Sequence, residues 1–139
     1  MLERLTEVVG ADPRIAYALV FGSTATETAH ALSDIDVAIG LIPGASLDLL
    51  DIGRLASELE AVALRPVDLV LLDEAPPGLA YRVFRGGRPL FVRDRPALAA
   101  RQARAVLEYL DFRPVEELCA RGVLAAARRA LDLRGRDSL

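Results

Sequence analysis

The sequence contains no lysine, and it has only one cysteine, Cys119, and one histidine, His30. A single thiol excludes an intramolecular disulfide and any cysteine-built zinc site. The absence of lysine excludes the phosphate loop G-x-x-x-x-G-K-[ST], which needs its lysine on the phosphates. All 17 basic residues are therefore arginine, a bias we read as compositional. No apolar run attains the roughly 20 residues of a membrane-spanning helix; the longest candidate, Ile15 to Gly22, has the length of a strand. Glu3, Arg4 and Glu7 near the N-terminus do not suit a secretory signal. These absences point to a cytoplasmic protein with no membrane association. A hydrophobic content of 53% excludes disorder, and 139 residues allow one domain with a core but not two.

Each half of the chain is also short of one charge sign. Residues 1–78 balance at −9 and residues 79–139 at +6, giving the net −3. An acidic half can hold divalent cations, and a basic half can meet phosphate or an acidic partner. For any single arginine, a solvated helix face is the simpler reading. The pI of 5.2 speaks against nucleic acid as a tight partner.

Periodicity and breakers divide the chain into alternating elements. Leu2–Val9 reads as a helix ended by Gly10 and Asp12-Pro13, and Ile15–Phe21 as a strand. Thr24–Ala31 suits a short helix. Asp34–Gly40 alternates strictly, with Asp34, Asp36 and Ala38 on one face and Ile35, Val37 and Ile39 on the other. Leu47–Val62 has helical spacing, and Val67–Leu72 is a third strand, apolar except for Asp68. Pro76-Pro77 opens a helix that stops at Gly86-Gly87. Pro89–Val92 is a short strand at a sheet edge. Pro96–Leu110 and Val115–Leu133 read as two further helices, separated by a break at Arg113-Pro114. The expected fold is α/β: a small mixed sheet flanked by helices in one domain, with a core over about 1–94 and extra C-terminal helices over about 95–134.

The chemistry concentrates on five residues. Asp34 and Asp36 point to one side of a strand, in a register fixed by Ile35 and Val37. Two carboxylates this close repel unless a cation lies between them, and carboxylate oxygens select hard ions such as Mg²⁺ or Mn²⁺. Asp68 is the one charge in an apolar strand, and burying it unpaired would be costly. Membership of the same metal site would account for it. Gly22 lets the backbone approach a ligand closely, and Ser23 adds a hydroxyl at the head of a helix, where anions are favoured. If Gly22-Ser23 and the aspartates serve one site, the first two strands must be antiparallel and the third parallel to the second. A phosphate turn with three carboxylates describes metal-dependent phosphoryl or nucleotidyl transfer, in which two metal ions would assist. His30 reads as a surface loop residue and Cys119 as a small core residue.

The stretch Gly22-Ser23, ten residues, then Asp34-Ile35-Asp36 resembles the G-S-x10-D-x-D signature of the DNA polymerase β-like nucleotidyltransferases. Val67–Leu72, Ala75-Pro76-Pro77, Gly86–Phe91 and Tyr109–Pro114 are similar to the minimal nucleotidyltransferase (MNT) branch. Members that look like this chain are antitoxins paired with HEPN-family ribonuclease toxins. The resemblance implies transfer of AMP from ATP to a tyrosine of a cognate HEPN toxin, with which the protein would form a hetero-oligomer. It also implies that Asp34, Asp36 and Asp68 bind metal, that Asp68 helps to activate the attacking hydroxyl, and that Gly22 and Ser23 hold the nucleotide. Thr26-Glu27 replaces the Arg-Gly usual in the family, which removes a phosphate contact and adds a negative charge. Two alternatives stand beside this reading: an acceptor that is a tRNA or a small hydroxylated molecule, and a catalytically degenerate antitoxin acting by binding alone.

Overall fold

The segment from Ile15 to Phe21 has no polar face, so a strand made from it has to be covered on both sides. In the computed structural model, which describes residues 1–22 and 34–121 with side chains through Asp111, that is its position. The elements in order are α1 (Leu2–Gly10), β1 (Ile15–Phe21), β2 (Ile35–Leu41), α2 (Leu49–Ala63), β3 (Val67–Leu71), a 3₁₀ turn (Leu72–Glu74), α3 (Pro77–Gly86), β4 (Arg88–Val92) and α4 (Arg95–Arg121). They form one four-stranded sheet in the order β3-β2-β1-β4. β1 pairs antiparallel with β2 and β4, and β2 pairs parallel with β3. The mixed sheet and both strand directions required by a shared site are therefore present.

Period-two alternation divides the sheet into two cores. On one face Ala18 and Val20 of β1 and Ile35, Val37 and Ile39 of β2 pack with Leu5 and Val9 of α1 and Leu55, Leu59 and Ala63 of α2. On the other, Tyr17 and Leu19 of β1 and Ala38 of β2 pack with Ala80 and Val83 of α3 and Ala105 of α4. A register shift between Ile15 and Tyr17 lets Ala16 join Tyr17 on this second face. The Tyr17 ring lies directly over Gly40, its partner across the ladder, where any Cβ would overlap it. Burial, with the charge of Asp73 adding to it, pushes the Tyr17 hydroxyl up to about 12.

Local chemistry sets the helix ends. Asp48 caps α2 by accepting from the Asp51 N–H at 2.8 Å, while Asp51 accepts from the Asp48 N–H at 3.1 Å. This capping box starts the helix at Leu49, two residues later than spacing alone suggests. Pro77 occupies the first turn of α3, and β4, with its Pro89, lies at the sheet edge as expected. The expected helix over Thr24–Ala31 lies outside the described residues.

The C-terminal region differs from expectation. There is no break at Arg113-Pro114: α4 runs without interruption to Arg121. An interior proline removes one hydrogen bond and costs about 3 kcal/mol. Here the carbonyl it leaves free belongs to the exposed turn at Leu110, where water can satisfy it. Strong helix formers on both sides, Leu107-Glu108 and Glu116-Glu117-Leu118, outweigh the loss. The helix is anchored by Arg101, 5% exposed, whose Nε and Nη2 donate to the Leu72 carbonyl at 3.3 and 3.0 Å. Tyr81 of α3 and Tyr109 of α4 stack at 3.9 Å with a 6° interplanar angle, so both are packing residues.

Candidate active site

The strand directions bring three ends together. β1 finishes where β2 and β3 begin, because Phe21 pairs with Asp36 and Asp36 pairs with Asp68. Residues paired across a ladder project to the same face. Asp36 and Asp68 therefore stand side by side on the face that carries α3 and α4. Asp34 is exposed and lies just before β2. Ile35, Val37 and Ile39 are fully buried on the opposite face, so slipping β2 by one residue would drive the acids into the core. Register pairs Asp36 with Asp68, and Asp34 lies two residues before Asp36, just ahead of β2.

Gly22 closes the group from β1. Its φ is +69°, in the left-handed region where a side chain is strained, and the Asp36 carboxylate lies where a Cβ would be. Both facts require glycine here, and the second makes it a direct neighbour of Asp36. Ser23 lies outside the described residues.

The electrostatics follow from this crowding. Burial raises the pKa of Asp36 most, and the charges of Asp68 and then Asp34 raise it further. No cation among the described residues offsets these effects. The donor set is all carboxylate oxygen, which suits a hard divalent ion whose charge would relieve the repulsion. Among the described residues, no three acidic, histidine or cysteine side chains are already gathered as a metal-ligand group. Mg²⁺ tolerates this, because it keeps several waters and needs only one or two protein carboxylates. The residues present therefore fit a hydrated divalent cation rather than a closed cage.

Asp68 departs from expectation in one respect. β3 is an edge strand, and Asp68 is exposed. No burial cost demands a partner for it, and its place beside Asp36 rests on register alone. The residue that fixes this place was not foreseen. Glu60, in the last turn of α2, accepts from the Val67 N–H at 3.0 Å, and Ile35 donates to the Pro66 carbonyl at 2.9 Å. Together they pin the first residue of β3 beside β2. Seven residues separate Glu60 from Val67, and nothing in the local sequence marks the contact.

Arg82 and Arg85 are exposed, in keeping with solvated positions. A cleft of about 430 Å³ opens at the other end of β1, between α1 and α2, lined in part by Asp12, Arg14, Asp51 and Arg54. Its Arg14 is already bound to Asp12 at 2.9 Å and Asp51 at 3.2 Å, and the carboxylate group lies at the opposite strand ends. No described helix is long and apolar enough to cross a membrane.

A mixed sheet thus sets paired acids at the start of one strand beside a left-handed glycine at the end of its antiparallel neighbour. Residues 3–96 match the family model "Polymerase beta, Nucleotidyltransferase", and the chain belongs to that family. Among solved structures, the fold is similar to a chain of a toxin–antitoxin complex crystallised with AMP-PNP (24% identity, TM-score 0.73, covering 85% of this chain and 93% of that one). It is also similar to a chain of a complex between a tri-AMPylated HEPN toxin and an MNT antitoxin from Shewanella oneidensis (21% identity, TM-score 0.67, 85% and 90% covered). A structure described as a minimal nucleotidyltransferase shares 32% identity over 62% of this chain and 88% of its own, with a TM-score of 0.53. No curated protein matches the chain in sequence.

Proposed function

We propose that this protein is an antitoxin that transfers AMP from ATP to a tyrosine of a cognate HEPN toxin. The observation that carries the catalytic part is the juxtaposition of Gly22 with Asp36, and of Asp36 with Asp68, at one end of the sheet. The AMPylated toxin in one similar complex and AMP-PNP in another support the substrate and the acceptor.

Asp34, Asp36 and Asp68 would hold divalent ions, Mg²⁺ or Mn²⁺, which when bound supply charge stabilisation for in-line displacement at phosphorus. Gly22 leaves room for the Asp36 carboxylate, and Ser23 adds a hydroxyl donor to the phosphates. The acceptor hydroxyl forms a new bond to the α-phosphorus while the bond to pyrophosphate breaks. Asp68 takes part in removing the hydroxyl proton, and its exposure suits an acceptor that arrives on another protein.

The test is incubation with ATP, Mg²⁺ and a cognate HEPN-family toxin. Intact-mass measurement should show a gain of about 329 Da per AMP added, with pyrophosphate released. The Asp34→Ala, Asp36→Ala double variant should leave the toxin unmodified. Thr26-Glu27 favours a second reading, neutralisation by binding alone. That reading wins if the double variant still protects cells from the toxin as fully as wild type. Transfer to a tRNA end and to no protein would replace the acceptor.

A further inference from the structure

Helix α4 has two apolar faces. One packs on the sheet through Leu98 and Ala105, with Arg101 buried between them. On the opposite side Ala99, Ala103, Val106, Leu107 and Leu110 are all exposed, Val106 by 38%, Leu107 by 64% and Leu110 by 52%. An apolar helix face is ordinarily covered, and this second face is not. From Ala99 through Ala103 and Val106 to Leu110 the steps are four, three and four residues, the spacing of a helix–helix seam. Arg104 and Asp111 lie on one flank of this stripe and Gln102 on the other, all exposed.

We propose that this face pairs with the same face of a second copy of the chain, the two α4 helices lying antiparallel. The charges select this orientation. In an antiparallel helix pair, matching flanks meet, so Arg104 of each copy lies near Asp111 of the other and two symmetric ion pairs form. In a parallel pair the Arg104 and Asp111 flank would meet the Gln102 flank, with nothing to complement it. The Nε of Arg104 is engaged by Glu108 of its own helix at 3.3 Å, but the terminal nitrogens remain to donate. Shape agrees with charge. A two-fold axis between Val106 and Leu107 sets small Ala103 opposite large Leu110, twice, and the surface is self-complementary as such an axis requires. The macrodipoles of antiparallel helices also oppose one another favourably.

Sedimentation of the full-length protein alone, over a wide concentration range, tests this. Wild type should show a concentration-dependent monomer–dimer equilibrium, and Leu107→Glu should be monomeric at an unchanged melting temperature. Arg104→Glu and Asp111→Arg should each weaken the dimer by at least about tenfold, since each sets like charges together. The double variant carrying both should recover most of it, and this recovery keeps the test valid if Leu107→Glu folds poorly. A wild type that stays monomeric at every concentration overturns the proposal. A fall in melting temperature for Leu107→Glu would then show that residues 122–139 cover the face, and loss of toxin co-purification would assign it to the toxin. A dimer indifferent to Leu107→Glu, or to the charge reversals, overturns it equally.

Discussion

Replacing Gly22 with alanine separates two demands that the fold makes on one residue. At φ +69° an alanine is strained by about 1–2 kcal/mol, which for a chain of this length lowers the melting temperature by roughly 4–8 °C. Gly44, at φ +85°, supplies the control, because an added Cβ there meets nothing within 4 Å. Gly44→Ala should therefore lose similar stability and nothing else. In Gly22→Ala the new methyl also occupies the position of the Asp36 carboxylate, which must swing away. Displacing a reacting or metal-holding group by about 1 Å can cost about 100-fold in rate. Thermal denaturation of both variants, with Mg²⁺-dependent nucleotide binding and AMP transfer measured in parallel, checks the pair. We expect matched stability losses and a fall in transfer of about 100-fold for Gly22→Ala alone. If Gly22→Ala keeps wild-type transfer while losing stability like Gly44→Ala, the contact with Asp36 does not constrain the site and our account of the glycine fails.

Three further outcomes follow from described contacts. Because the pKa of Asp36 is raised, the folded state holds its proton more tightly than the unfolded chain does, so ionisation costs stability at neutral pH and the cost vanishes as pH falls through that pKa. Asp36→Asn should accordingly raise the melting temperature of the metal-free protein at neutral pH, by a margin that shrinks on acidification. Calorimetry should show its metal–nucleotide binding weakened by more than the roughly 10- to 100-fold attached to outer-sphere contacts. Arg101→Ala strips both guanidinium donors from the buried Leu72 carbonyl, which keeps only the Ala75 N–H, and empties a buried side-chain position; it should cost about 2–4 kcal/mol in urea unfolding, and lysine, a single-point donor, should restore less than half. Gly40→Ala forces a Cβ into the Tyr17 ring and should cost about 2–3 kcal/mol, part of which Tyr17→Leu in the same chain should return, as a double-variant unfolding cycle would show.

The sequence was most legible where one residue had to satisfy two constraints. Ile35 and Val37 had to be inside, so Asp34 and Asp36 had to be outside. A site shared with Gly22 then dictated an antiparallel β1–β2 pair and a parallel β3, and both are present. Asp68 stands beside Asp36 by register and not because burial demands a partner, since an apolar run does not reveal whether its strand is central or at an edge. Pro114 was read by its local penalty, but the continuity of α4 depends on the sum over many residues. Glu60 with Val67 and Tyr17 with Gly40 are contacts between separate elements, formed only when the chain has folded. Ser23 lies outside the described residues, so the phosphate turn rests on sequence together with the geometry of Gly22.

Glu60 gives the back of the molecule a mechanical hold on the front. It belongs to α2, on the opposite face of the sheet from the carboxylates, yet its side chain holds the first N–H of β3, one residue before Asp68. A load on the last turn of α2 would reach Asp68 through a single hydrogen bond and one peptide unit, without anything approaching the acids themselves. The layer opposite the carboxylates thereby has leverage over the strand that carries Asp68.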